Sequence, residues 1–176
     1  GDPIGSIRVY FLRSDQPQGW NHWRPQNFQF AFVDFQRITM SKPESLLKNI
    51  LKQLKLDAPE PCDLINFSER LKEKLDKPTI ILMDEMGAGL QAPDLDTNFW
   101  ENLKVLADSH SKLGFLITVH EPIATLAKES GKGISFSSIF GEVAYIGPLA
   151  EDEARNLINS FSHPITEADI EWILQN

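Results

Sequence analysis

The hydrophobic positions along the chain change period several times, and each change marks an element. Phe28-Gln-Phe-Ala-Phe-Val-Asp-Phe-Gln36 alternates, with Phe28, Phe30 and Phe32 on one face, which predicts an aromatic-rich strand. Ser41-Lys-Pro-Glu44 has the form of a capping box, with proline near the first helical position. Leu46, Leu47, Ile50, Leu51 and Leu54 follow at helical spacing and make one broad apolar face. Leu64, Phe67, Leu71 and Leu75 form a second helical stripe, closed by Pro78. Thr79-Ile-Ile-Leu-Met-Asp84 is a short continuous apolar run ending in an acid, as expected of a strand covered on both faces in a parallel sheet. A helix is predicted around Asp96 to Ser111, with Phe99, Leu103 and Leu106 inward and Trp100 in the core. Leu113 to His120 is another buried-strand run, and Pro122 starts a short helix that stops near Gly131. Glu142 to Ile146 reads as a last strand, before helices near Glu151–Phe161 and Thr166–Leu174.

Strands alternating with helices predict an α/β fold, a three-layer sandwich around a mostly parallel central sheet. Ligands of such sheets bind outside the carboxyl ends of the strands, so chemistry is expected just after Leu82–Asp84, Val119–His120 and Ile146. Two loops interrupt the pattern: Ser14 to Asn27, rich in Pro, Gln, Asn and Trp, and Asp57 to Asp63, with Pro59 and Pro61.

Composition narrows the class. A chain of 176 residues fits one domain and needs no disulfide staple. Lys plus Arg is 17 against 25 for Asp plus Glu, a net charge of −8, which disfavours broad binding to nucleic acid or an anionic membrane. The single Cys62 forms no intrachain disulfide and points to a reducing, cytoplasmic setting. No apolar run approaches the roughly 18 residues of a membrane helix, and the first residues do not read as a signal peptide.

The sharpest chemical signal is Ile80-Ile-Leu-Met-Asp-Glu85, an apolar strand ending in two acids, the form of a Walker B motif. In that form Asp84 holds a Mg²⁺ ion, a hard cation that takes oxygen ligands and keeps several waters. Glu85 orients and deprotonates the water that attacks in phosphoryl transfer. A Walker A loop, Gly-x-x-x-x-Gly-Lys-[Ser/Thr], is absent from the sequence. The nearest stretch is Gly1-Asp-Pro-Ile-Gly-Ser-Ile7, in which Gly5 and Ser6 would face phosphate, with Ser6 in the lysine position. Other candidates are weaker. His22, His110, His120 and His163 lack metal-ligand spacing. Trp20, Trp23 and Arg24 read first as pins for a long loop and second as a stacking surface. Cys62 has no base beside it in sequence, and Asp94-Leu-Asp96 reads as a loop and helix cap.

In order and spacing from about Gln26 to Ile173, these stretches resemble the AAA-like NTPase domain of the STAND class, the signal-transduction ATPases with numerous domains. Phe28–Gln36 with the helix after Ser41 resembles the family's second strand and helix, and Thr79–Glu85 its Walker B strand. Asn98-Phe-Trp-Glu-Asn-Leu103 resembles the helix that follows, and Gly114–Pro122 the sensor strand. Ile139-Phe140, Ile146-Gly-Pro-Leu149 and Glu153-Ala-Arg155 resemble the segment with the Gly-x-Pro-type motif. The resemblance implies a molecular switch in which ATP closes the core against a helical lid. It implies Asp84 for Mg²⁺, Glu85 for water activation, Gly147 and Pro148 near the adenine, and a sensor between Thr118 and His120, where the histidine departs from the usual small polar residue.

Two further departures are the missing lysine and the end of the chain at Asn176, where family members continue into the lid. The expectation is an incomplete core, a fragment of a longer multidomain protein. It would bind ATP or ADP with Mg²⁺ and hydrolyse weakly or not at all. The alternative is a non-catalytic scaffold of the same fold for protein interaction or oligomerisation. Expected partners are nucleotide, other domains of the parent chain and further copies of the chain, with no membrane and no nucleic acid. The family's P-loop strand sits centrally, and Ser6 to Leu12 is either the strand that replaces it or, preferred for its spacing to Phe28, the helix after a degenerate loop.

Overall fold

Three parallel strands order the first part of the molecule. The computed structural model describes residues 24–132, 149–161 and 165–175. These fall into two compact units, residues 24–132 and residues 149–175. In the first, β1 (Gln29–Asp34), β2 (Thr79–Asp84) and β3 (Leu113–Ile117) form an open sheet in the order β1-β2-β3. Gln29 lies opposite Thr79 and Asp34 opposite Asp84, while Thr79 to Met83 pair with Leu113 to Ile117. Parallel neighbours need crossovers, and helices supply them. α1 (Pro43–Gln53) and α2 (Leu64–Lys74) join β1 to β2, and α3 (Met86–Gln91) and α4 (Thr97–Ser109) join β2 to β3. α5 (Ile123–Glu129) follows β3.

The apolar stripes do what their spacing predicts. Leu46, Leu47, Ile50 and Leu51 of α1 are fully buried, as are Phe67 and Leu71 of α2. Each such side chain contributes about 1.5–3 kcal/mol relative to exposure. Phe99, Trp100, Leu103 and Leu106 line the inner face of α4, and the Trp100 ring meets Phe35 and Phe99 edge-on at centroid distances of 5.9 and 5.2 Å. Asp96 caps α4 by accepting from the Phe99 N–H at 2.8 Å, and Asp63 caps α2 by accepting from Asn66 N–H at 2.8 Å.

Two expectations are corrected, and one helix is new. The capping box at Ser41 does not form, because Ser41 closes a 3₁₀ turn over Ile38–Ser41 by donating to the Ile38 carbonyl at 2.7 Å, and Lys42 becomes the residue before α1. The strands are not covered equally on both faces. Ala31, Val33, Ile81 and Met83 are buried on one face, whereas Phe30, Phe32, Ile80 and Leu82 on the other are half-buried and Leu116 is 53% exposed. The helix α3 is new. Its sequence Met-Gly-Ala-Gly-Leu-Gln has two glycines and poor helix propensity, and packing of Met86, Gly89 and Leu90 into the core holds it.

At the outer edge of β1, side-chain and turn hydrogen bonds reach Phe32 and the Asp34 carbonyl. Gln53 reaches from the end of α1 to Phe32, accepting from its N–H at 2.9 Å and donating to its carbonyl at 2.6 Å. The Asp34 carbonyl accepts from Arg37 N–H at 3.1 Å.

The second unit is a pair of helices, α6 (Glu151–Asn159) and α7 (Glu167–Gln175). Glu153 caps α6 by accepting from the Ala150 N–H at 2.9 Å, and Thr166 and Asp169 cap α7 reciprocally. Arg155 joins the two helices, at 3.1 Å from Glu151 and 2.8 Å from Glu167, with Glu171 as its third partner. Among the described residues no helix is long and apolar enough to cross a membrane. The segment Ser6–Leu12, expected as a helix or a strand, the expected strand Glu142–Ile146, and Trp20, Trp23, His22 and His163 lie outside the described residues.

Candidate functional site

The central strand ends abruptly. Asp84 is still in the ladder, its carbonyl accepting from Phe35 N–H at 3.2 Å. The next residue, Glu85, turns into the left-handed region at φ 54° and ψ 46°. For a residue with a β-carbon this conformation costs roughly 1–2 kcal/mol, and it is what swings the chain from β2 directly into α3. Such strain at the end of a strand is a pointer to function.

Side chains from the next strand's exit hold the bend. The Thr118 hydroxyl donates to Asp84 Oδ1 and accepts from the Glu85 N–H at 3.3 Å. The same Glu85 N–H lies 3.1 Å from Asp84 Oδ1. Backbone bonds fix Thr118 in turn, from Thr118 N–H to Met83 O at 2.9 Å and from Met86 N–H to Thr118 O at 3.2 Å. His120, two residues on, places Nε2 3.0 and 3.1 Å from the two carboxylate oxygens of Glu85. The Glu85 carboxylate raises the His120 pKa above the ordinary histidine value, first by hydrogen bonding and then by charge. His120 is 83% exposed and Glu85 28%, so the pair sits at the rim of the sheet with the acid on the inner side.

The structure thus brings together Asp84, Glu85, Thr118 and His120 from two neighbouring strand ends. It adds one acid that the motif reading passed over. Asp34 ends β1 directly opposite Asp84, its Oδ1 accepting from Gln36 N–H at 2.9 Å and its Oδ2 lying 3.4 Å from Arg37 Nε. The available signal was the same one that marks Asp84, an acid closing an apolar run. Gly5, Ser6, Gly147 and Pro148, expected at phosphate and adenine, lie outside the described residues.

The donor set is composed of hard oxygens. Asp84 Oδ2 takes part in none of these hydrogen bonds, and the Asp34 carboxylate and Thr118 hydroxyl are adjacent oxygen groups. Among the described residues no three His, Cys, Asp or Glu groups are placed to share one metal ion. A Mg²⁺ ion fits such a sparse set, because it binds through one or two carboxylates and completes its shell with water and phosphate. Away from this site, Cys62 is buried and its thiol pushed up by that burial, which leaves it inert. Lys132 is buried too, donating to the Ala92 carbonyl at 3.1 Å and to that of Leu95, and burial lowers its pKa. It ties the loop after α3 to the end of α5.

Comparison with protein-family models gives no match, and comparison with curated proteins gives none.

Proposed function

We propose that the chain is an ATP- and ADP-binding switch domain of the STAND type, on a P-loop NTPase-like three-layer core, with hydrolysis weak or absent. The observation that carries this reading is the junction at the end of the central parallel strand, where Asp84 and the strained Glu85 stand side by side, clamped by Thr118. Open parallel sheets bind ligands at this edge. Asp84 would hold Mg²⁺ through Oδ2, with Asp34 close enough in register to bind its waters. The ion, when bound, neutralises phosphate charge. Glu85 is the candidate for orienting water, and its carboxylate faces His120. A charged His120 competes for the oxygens a water would need, which favours binding over turnover. On this reading the protein is cytoplasmic, with other domains of its parent chain as partners and neither membrane nor nucleic acid among them.

A second reading is an NTPase-fold scaffold for protein interaction. The hydrogen bonds that already occupy Asp84 Oδ1 favour it, because they give the acid a purely structural task.

Calorimetric titration with ATP and ADP, with and without Mg²⁺, on the wild type and Asp84→Asn separates the two. The switch reading expects micromolar nucleotide binding that weakens at least about tenfold, or about 1.4 kcal/mol, without Mg²⁺ or in Asp84→Asn. Absence of binding at millimolar nucleotide supports the scaffold.

A further inference from the structure

The carboxyl edge of the sheet is rich in acid and short of positive charge. Asp34, Asp84 and Glu85 stand at two adjacent strand ends, in a chain of net charge −8 whose sequence lacks the Walker A lysine. A polyphosphate brought to this edge adds several negative charges, and like charges this close repel. The segments that leave the three strands, residues 35–42, 85–96 and 118–122, hold two basic side chains besides His120, Arg37 and Lys42. Lys42 is directed to the loop after α3, its Nζ 3.7 Å from Asp94 Oδ2. Arg37 is placed at the site itself. The Phe35 N–H donates to the Asp84 carbonyl at 3.2 Å, so the chain leaving β1 keeps to the end of β2. The Arg37 N–H then donates to the Asp34 carbonyl at 3.1 Å and turns the chain back. This brings Arg37 Nε to 3.4 Å from Asp34 Oδ2, and Asp34 is the register partner of Asp84. Register partners on neighbouring strands share a face and lie about 4.8 Å apart. The ion pair is loose: 3.4 Å is longer than an ordinary N–H···O hydrogen bond, and the Arg37 side chain is 61% exposed. Among the described residues Asp34 is its one ion-pair partner.

We propose that Arg37 is the phosphate-binding cation of this site, gripping the polyphosphate of a nucleoside di- or triphosphate and supplying the positive charge that the missing lysine does not. The assignment rests on the nucleotide reading above and adds to it the residue that holds the phosphates. A guanidinium presents five N–H donors in a planar fork that matches two phosphate oxygens at once. An exposed pair such as Arg37 with Asp34 contributes little to the fold, so the fork is available to a ligand. Asp34 is the positioning residue. It keeps the guanidinium over the end of β1 before ligand arrives, which lowers the entropy lost when a long side chain is ordered on binding. The two positive groups then have separate tasks. Mg²⁺ on Asp84 neutralises phosphate from one side, and Arg37 holds it whether or not the ion is bound.

The test is calorimetric titration of the whole chain with ATP, tripolyphosphate and adenosine, each with and without Mg²⁺. The wild type is compared with Arg37→Gln, Arg37→Lys, Lys42→Gln and Asp84→Asn. Arg37→Gln should weaken ATP and tripolyphosphate at least about tenfold, both with and without Mg²⁺, and leave adenosine unchanged. Arg37→Lys should recover part of that loss, because it keeps the charge and gives up the fork. Lys42→Gln removes the same charge from the same loop and should change affinity by less than about twofold, since exposed charges away from the ligand are screened. Asp84→Asn should weaken binding only where Mg²⁺ is present. Thermal unfolding should find Arg37→Gln as stable as the wild type, so that lost binding is not lost folding. Nucleotide binding that depends on Asp84 and Mg²⁺ but ignores Arg37→Gln overturns the assignment and leaves the switch reading standing. An equal loss in Lys42→Gln also overturns it, because the effect is then one of general surface charge. A wild type that binds none of the phosphate ligands at millimolar concentration overturns both.

Discussion

Glu85 occupies a conformation that a side-chain-bearing residue enters at a cost, and it does so while facing a histidine. The left-handed bend persists because the Glu85 N–H is held on two sides, by Asp84 and by Thr118. The His120–Glu85 pair adds a titration to this bend. Pairing raises the His120 pKa above that of the unfolded chain. Its contribution to stability is therefore complete below about pH 6.5 and is lost as pH rises through the raised value. A proton NMR titration should give His120 a midpoint above the ordinary histidine range, and Glu85→Gln should bring it back to about 6.5. The stability difference between wild type and His120→Gln should likewise shrink to nothing at alkaline pH. A midpoint that ignores Glu85→Gln contradicts the pairing. Neither His120 nor Glu85 announces this contact in the sequence, since they are 35 positions apart and only the parallel pairing of β2 with β3 makes them neighbours.

At the scale of elements, α3 shows how packing overrides propensity. Gly89 lies against the Phe35 ring, and a β-carbon there would stand 2.9 Å from ring atoms that are themselves wedged against Trp100. Gly87, two residues earlier and on the opposite side of the helix, would place a β-carbon 3.7 Å from Leu126, an ordinary contact. Gly89→Ala should therefore destabilise the protein by about 1–3 kcal/mol through overpacking. Gly87→Ala should be neutral or stabilising by up to about 1 kcal/mol, the helix propensity it gains. Denaturant unfolding of the two variants checks this, and equal effects would contradict the assigned contacts. The same helix marks a limit of sequence reading. Long stripes such as Leu46 to Leu54 and Phe99 to Leu106 are periodic enough to be legible, and the continuous run Thr79–Asp84 matches β2 residue for residue. Six residues with two glycines carry no legible periodicity; burial of Met86 and Leu90 holds the helix, and the closeness of Phe35 explains Gly89. The Ser41 motif misleads for a related reason: Ser41 bonds backward to Ile38, a local competition that the spacing of residues does not display.

Over the whole molecule, the strand order β1-β2-β3 sets Asp34, Asp84 and Thr118 along one edge of the sheet, with α1 to α4 as the crossovers between strands. The α/β class and the location of Asp84 and Glu85 at a strand end were legible from runs and terminators alone. The uneven covering of the sheet was not, because Leu113 to Val119 reads as apolar whether a neighbour covers it or not, and Leu116 is exposed. In the second unit Arg155 links α6 and α7, its three glutamate partners lying far apart in sequence, from Glu151 to Glu171. On the proposed reading nucleotide settles on the carboxyl edge at the end of β2. Backbone amide shifts of the labelled chain, followed as Mg²⁺ with ADP or ATP is added, test it most directly. The switch reading predicts saturable shifts at Glu85, Met86, Thr118 and His120, together with Phe35 and Gln36 at the end of β1, and their loss in Asp84→Asn. An unchanged spectrum at millimolar nucleotide, or shifts confined to residues remote from this edge, would contradict it.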